Sequence, residues 1–163
     1  EIIEELCQKK WVDFVRLNKG NILVLDGLPD LAKFMFEPSR NQLRQVGEFL
    51  VDLQACRCFY CQKPIKHNKW AVDHFIPWAM YPADTGHNFV LADDKCNSAK
   101  SDFLASKEFL LQWQERNKNF DYLIIEQVSK LGFLTDMERS HSVASWAYRQ
   151  AEENGYLLWT NKS

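Results

Sequence analysis

The chain has 163 residues, 46% of them hydrophobic and 13% aromatic, with a formal net charge of −2. That is enough apolar surface for one good core and too little chain for two, so a single domain over residues 1–163 is expected. Glycine and proline are sparse and no low-complexity tract or repeat is visible, which sets disorder aside, and the longest apolar run, Tyr122 to Ile125, is far too short to span a bilayer.

Nothing at the N-terminus has the layout of a secretory signal, so the expectation is a cytoplasmic protein without a membrane partner. A first residue of Glu1 instead of Met fits a piece of something longer. The net charge is unfavourable for gripping nucleic acid by electrostatics alone, since phosphate neutralisation supplies most non-specific affinity. The bases are nevertheless uneven: Arg57, Lys63, Lys66 and Lys69, with His67, occupy one stretch that contains no acid. Such a stretch is either a local phosphate-facing surface or a solvated loop. Cysteines at 7, 56, 58, 61 and 96 are odd in number, so a disulfide framework is disfavoured and metal ligation is the better account.

In chain order, an amphipathic helix is predicted from about Ile2 to Leu17, ending at Asn18-Lys19-Gly20. A second starts at Pro38 and Ser39 and places Leu43, Val46, Phe49, Leu50 and Leu53 on one face. Residues 1–55 thus form an N-terminal helical segment, with Cys7 as an inert buried thiol. From Cys56 the helical period breaks into a Cys-x-x-Cys turn, prolines at 64, 77 and 82, and a β-prone run Trp70 to Phe75. Asn88 to Leu91 is a second strand and Asp94 to Lys100 a short helix, giving strand, loop, strand, helix.

Beyond it, Phe103, Leu104, Leu110 and Leu111 share one helical face, followed by Tyr122, Ile125 and Val128. A last helix, Asp136 to Glu153, is started by a Thr135/Glu138 capping box and stopped by Asn154-Gly155. Within it His141, Trp146 and Tyr148 read as packing residues. The fold class is α+β, mainly helical, with a core at 56–105 and a C-terminal helical extension at 106–163.

The segment with chemistry in it is Val72-Asp73-His74-Phe75-Ile76-Pro77-Trp78, then His87-Asn88-Phe89-Val90-Leu91, then Cys96-Asn97-Ser98-Ala99-Lys100-Ser101-Asp102. Phosphodiester hydrolysis needs a deprotonated water, a neutralised phosphate and a stabilised leaving oxygen. A neutral imidazole and one hard cation meet all three needs, and histidine titrates close to neutrality. Strand alternation puts Asp73 on the face opposite His74, so the carboxylate can take a metal without neutralising the base. The Asn97 amide oxygen suits the same Mg²⁺ or Mn²⁺. Asn88 can donate and accept at once, bracing the loop to the histidine strand. Lys100, one turn after Asn97, is placed to meet a phosphate. His87 is expected only to hydrogen-bond within its loop, and Trp70, Trp78 and Tyr81 to fill a small core before they stack on bases.

Asp73-His74 with Ile76-Pro77, then Asn88, then Asn97-x-x-Lys100-Ser101-Asp102, resembles the HNH (ββα-metal) endonuclease family, including bacterial HNH nucleases and the HNH domain of RNA-guided CRISPR effectors. The resemblance covers about Arg57 to Leu104. It implies that His74 activates water, Asp73 and Asn97 bind a catalytic Mg²⁺ or Mn²⁺, Asn88 orients the histidine, and the substrate is nucleic acid, with DNA inferred from the family. Many members carry a structural Zn²⁺ on two cysteine pairs. Cys58 and Cys61 supply the first; Cys96 supplies half of the second, with Asp93 standing where the family has cysteine or histidine. Asp93 is thus a candidate fourth ligand, His67 and Cys56 are alternatives, and a site that no longer binds metal stays open. The functional expectation is a metal-dependent endonuclease, with a catalytically silent zinc-knuckle binding module as the rival reading. A further expectation is that it is the effector of a larger assembly, such as a bacterial defence or restriction system.

Overall fold

A computed structural model describes residues 2–18, 21, 25, 31, 40–66 and 69–161. Its backbone divides into two compact units, Glu1–Leu43 and Arg44–Ser163. In the first, helix α1 (Ile2–Leu17) buries Val12 while exposing Trp11, Phe14 and Leu17. Cys7 on this helix is exposed, correcting the expectation of a buried thiol: it lies off the face that carries Val12. The predicted helix start at Pro38 and Ser39 lies outside the described residues.

Helix α2 (Arg40–Leu53) begins at the end of the first unit and lies mostly in the second, where Val46 and Leu50 are fully buried. Gly47 sits between them for a steric reason: a Cβ there would fall 2.0 Å from the Trp70 ring. The chain leaves α2 through two left-handed residues, Ala55 and Cys56 (φ 49° and 55°), and enters the Cys58-x-x-Cys61 turn. That turn closes through Gln62 N–H donating to Cys58 O at 2.9 Å, with Gln62 also left-handed (φ 57°).

Strands β1 (Trp70–His74) and β2 (Phe89–Asp93) form a two-stranded antiparallel sheet in which Asp73 faces Val90 and His74 faces Phe89. A 3-10 turn, Gly86–Asn88, leads into β2. Helix α3 (Asp94–Lys100) follows β2 directly and packs on both strands. An isolated hairpin is marginal in water, and this one is stabilised by what covers it. Gln54 accepts from Leu91 N–H (2.9 Å) and donates to Leu91 O (3.1 Å), so its side-chain amide caps the free edge of β2.

Helix α4 (Lys107–Lys130) is one continuous element that buries Trp113, Arg116, Asn117, Ile124 and Val128 and packs on the Gly86–Asn88 turn. The apolar positions named from the sequence mostly lie on the other side: Leu111, Tyr122 and Ile125 are exposed, as is Phe103 ahead of the helix. The inward face carries polar groups because it must meet backbone carbonyls, so hydrophobic periodicity misreads it. Trp113 stacks on Phe75 at 4.8 Å between ring centroids. Helix α5 (Met137–Glu153) starts one residue later than predicted. Its cap is Asp136, which accepts from Arg139 N–H at 2.8 Å, while Thr135 is occupied with Ser129. Tyr148 in α5 is buried and Trp146 exposed. Among the described residues no helix is long and apolar enough to cross a membrane.

Candidate active site and metal centre

Alternation along β1 turns Asp73 into the interior. Tyr60 Oη donates to one carboxylate oxygen, and Lys100 Nζ lies 3.1 Å and 3.3 Å from the two oxygens. The same ammonium donates to His74 O at 2.9 Å and sits 5.9 Å from the centre of the Tyr60 ring. Burial pulls the Lys100 ammonium below the usual lysine range, against the opposing pull of Asp73. Burial likewise raises the Tyr60 phenol, with Asp73 adding to the effect. Lys100 is fully buried and spent on Asp73 and on the β1 backbone, so the expectation that it reaches outward to a phosphate is corrected. The cause is local: α3 packs flat on the sheet, and its last turn drops Lys100 between Asp73 and Tyr60.

His74 emerges on the opposite face. Its Nε2 is 2.7 Å from Asp84 Oδ1, with side-chain exposures of 20% and 12% for the pair, so the imidazole reaches solvent while its partner is largely covered. Trp78 and Phe89 hold the ring from two sides at centroid distances of 5.3 Å and 5.1 Å. Trp78 is itself 45% exposed, which places an aromatic surface beside the imidazole instead of inside a core. An ionised carboxylate only accepts hydrogen bonds, so the neutral ring carries its proton on Nε2 and its lone pair on Nδ1. Asp84 was not among the residues singled out from sequence. It lies in the Pro82–Gly86 loop, and no spacing ties it to His74.

Asn88 is buried and bridges the turn to the histidine strand. Its Oδ1 accepts from Ile76 N–H at 2.8 Å, its Nδ2 donates to Ile76 O at 2.9 Å, and its own carbonyl accepts from Phe75 N–H at 2.8 Å. Asn97 sits half-buried on α3, one turn before Lys100, and among the described residues its side chain has no hydrogen-bond partner. The structure thus brings Asp73, Lys100 and the His74 backbone into direct contact, ties Asn88 to the residues after His74, and puts Asn97 on the helix that covers them.

The second constellation is the thiols. Cys58, Cys61 and Cys96 have sulfurs all within 4.8 Å of one another, two of the three side chains buried. Burial pushes the Cys96 thiol well up, and the neighbouring thiols add to it. Asp93 is not in this cluster: it is the N-cap of α3 and accepts from Lys95 N–H at 3.0 Å, which corrects its assignment as fourth ligand. Cys56 is also outside the cluster, its thiol donating to Ile65 O at 3.4 Å. His67, the other alternative, lies outside the described residues.

Beneath the site, His87 is fully buried and its Nε2 meets Asp121 Oδ1 at 2.8 Å. Burial lowers its pKa, with Asp121 pulling the other way. Its bond reaches α4 and not its own loop, as had been expected.

An Asp-His pair on one strand, a bracing asparagine, a helix asparagine and a thiol cluster thus stand together on one ββα unit. The sequence model of a family described as HNH endonuclease matches residues 58–106, which span the knuckle, both strands and α3. No curated protein matches the chain. Among solved structures, the crystal structure of the type II-C Cas9 enzyme from Actinomyces naeslundii aligns with 94% of this chain at 18% identity and a TM-score of 0.39. The chain covers 18% of that protein's length, and the likeness is too low to define a shared overall arrangement.

Proposed function

We propose that this chain is a divalent-metal-dependent endonuclease that hydrolyses phosphodiester bonds of DNA, with His74 as general base. The observation that carries the reading is the split geometry of β1. The imidazole is held on the solvent side by Asp84, while Asp73 faces inward onto Lys100 of α3, the helix that also carries Asn97. In this reading His74 Nδ1 takes the proton from the attacking water, and Asp84 steadies the imidazolium that forms. A base in this role contributes about 10²- to 10⁴-fold. Asn88, through its paired bonds to Ile76, fixes the backbone that aims the ring.

Asp73 and Asn97 are the residues that would hold Mg²⁺ or Mn²⁺, and a carboxylate with an amide oxygen suits a hard cation that keeps most of its positions for water and phosphate. When bound, the ion supplies charge neutralisation on the phosphate and the leaving oxygen. Lys100 stays on Asp73 as a fixed internal counter-charge. The thiol cluster fits a structural Zn²⁺, because a tetrahedral ion with Zn–S bonds of about 2.3 Å needs sulfurs about 3.8 Å apart. DNA as the substrate follows from the family resemblance.

The test is a plasmid-nicking assay with Mg²⁺ or Mn²⁺. Wild type is expected to nick and His74→Ala to lose about 10²- to 10⁴-fold in rate. Equal rates in the two samples would remove the base assignment.

A further inference from the structure

Arg116, in the middle of α4, is nine-tenths buried and pairs with no carboxylate among the described residues. Its Nη2 donates to two backbone carbonyls, His87 O at 3.1 Å and Phe89 O at 2.9 Å, the residues on either side of Asn88. The Trp113 indole (2.8 Å) and the Asn117 amide (3.2 Å) donate to the same His87 carbonyl. Positions 113, 116 and 117 share one helical face, so one stretch of α4 presents three donors to an oxygen that has two lone pairs. Arg116 Nε and Nη1 meanwhile find no acceptor among the described residues.

We infer that Arg116 is a positioning residue for the candidate nuclease site: through the backbone on both sides of Asn88 it fixes the side chain that braces Ile76 and thereby the aim of His74. The proposal rests on the nuclease reading given above. Edge capping alone does not account for an arginine here. Two residues along the same edge of β2, Gln54 satisfies both backbone groups of Leu91 with a neutral amide. A buried cation without a paired anion is expensive, and burial holds the Arg116 guanidinium down at about 9. What arginine adds over an amide is reach: one nitrogen spans the carbonyls of residues 87 and 89 and locks the residue between them. Helix α4 thus contributes to the site through the backbone that carries Asn88.

The experiment compares Arg116→Gln, Trp113→Phe and Gln54→Ala in the full chain, with single-turnover nicking beside NMR of the Asn88 side-chain amide and hydrogen exchange at Ile76 N–H. Arg116→Gln is expected to lower the single-turnover rate by roughly 10²-fold with KM unchanged, the size of effect that a misplacement of about 1 Å brings. The Asn88 amide signals broaden or shift and Ile76 N–H exchanges faster. Trp113→Phe removes one donor from the same carbonyl and is expected to move the same readouts by roughly two- to tenfold; it carries the test if Arg116→Gln does not fold. Gln54→Ala lowers thermal stability and leaves rate and Asn88 signals in place. Wild-type rate and wild-type Asn88 signals in folded Arg116→Gln, or in Trp113→Phe, overturn the proposal. If wild type itself does not nick DNA, the nuclease reading falls, and the Asn88 and Ile76 signals still decide whether Arg116 positions them.

Discussion

The two constellations on the ββα unit are built on opposite logics. In the knuckle, three groups of one kind converge, and among the described residues no further ligating group joins Cys58, Cys61 and Cys96. Around β1 every charged group already has a protein partner, Lys100 on Asp73 and Asp84 on His74. A cluster of three thiols, two of them buried, gains a stable arrangement when an ion displaces their protons. The carboxylate and imidazole are pre-organised without one. Under the proposed function the thiol cluster is where a metal would sustain the fold, and the β1 site is where the fold would be ready for chemistry.

That contrast is open to direct tests. The largest effect is expected from removing the knuckle's ion. Chelation, or Cys58→Ser, should release one equivalent of zinc and abolish cooperative melting of residues 44–163, since structural zinc contributes about 10 kcal/mol or more in small domains. A protein that purifies without zinc and melts unchanged after chelation breaks the comparison on this side.

Lys100→Met comes next. It strands Asp73 in the interior, and removing one partner of a buried pair costs about 3–5 kcal/mol. Tyr60 still donates to Asp73, so the loss should fall toward the lower end, read as a shift of the denaturant midpoint. A stability equal to wild type would mean that the pair is not the internal counter-charge described.

Asp84→Asn should be the mildest. The amide oxygen still accepts from His74, but the negative charge is gone, and a loss of roughly tenfold in nicking rate at unchanged melting temperature is expected. No change in rate would reduce Asp84 to a loop residue that happens to lie nearby.

The local units were legible because their signals are local. The short helix at Asp94–Lys100 has the limits expected, and both strands follow the predicted order, β1 ending at His74 and β2 shifting to Phe89–Asp93. The Cys58-x-x-Cys61 turn was readable from spacing, and Cys96 as its partner from the family resemblance. What the sequence hid depends on distance along the chain. Asp84 meets His74 through a loop closure that no pattern encodes. Lys100 looked like a surface base because lysine usually is one, and only the packing of α3 onto β1 makes it internal. On α4 the buried stripe mixes Trp113, Arg116 and Asn117 with Ile124 and Val128, so a search for apolar period found Val128 but mostly picked exposed positions such as Leu111, Tyr122 and Ile125. Asp93 shows a different limit: two plausible uses of one carboxylate, helix cap or ligand, are decided by geometry a few ångströms across.

The aromatic cluster around the knuckle bears on portability. Tyr60, the donor to Asp73, is edge-on to Phe109 at 5.4 Å and to Trp159 at 5.1 Å, and Trp159 N–H donates to Leu104 O at 2.8 Å, so the C-terminal segment closes over the ring. A fragment cut to residues 58–106 would carry the recognisable motif and leave this wall behind. Grafted into another scaffold, it would expose Tyr60 to solvent and let water reach the Asp73 and Lys100 pair. The transplantable piece is the whole of residues 44–163, although less than half of that length bears the signature.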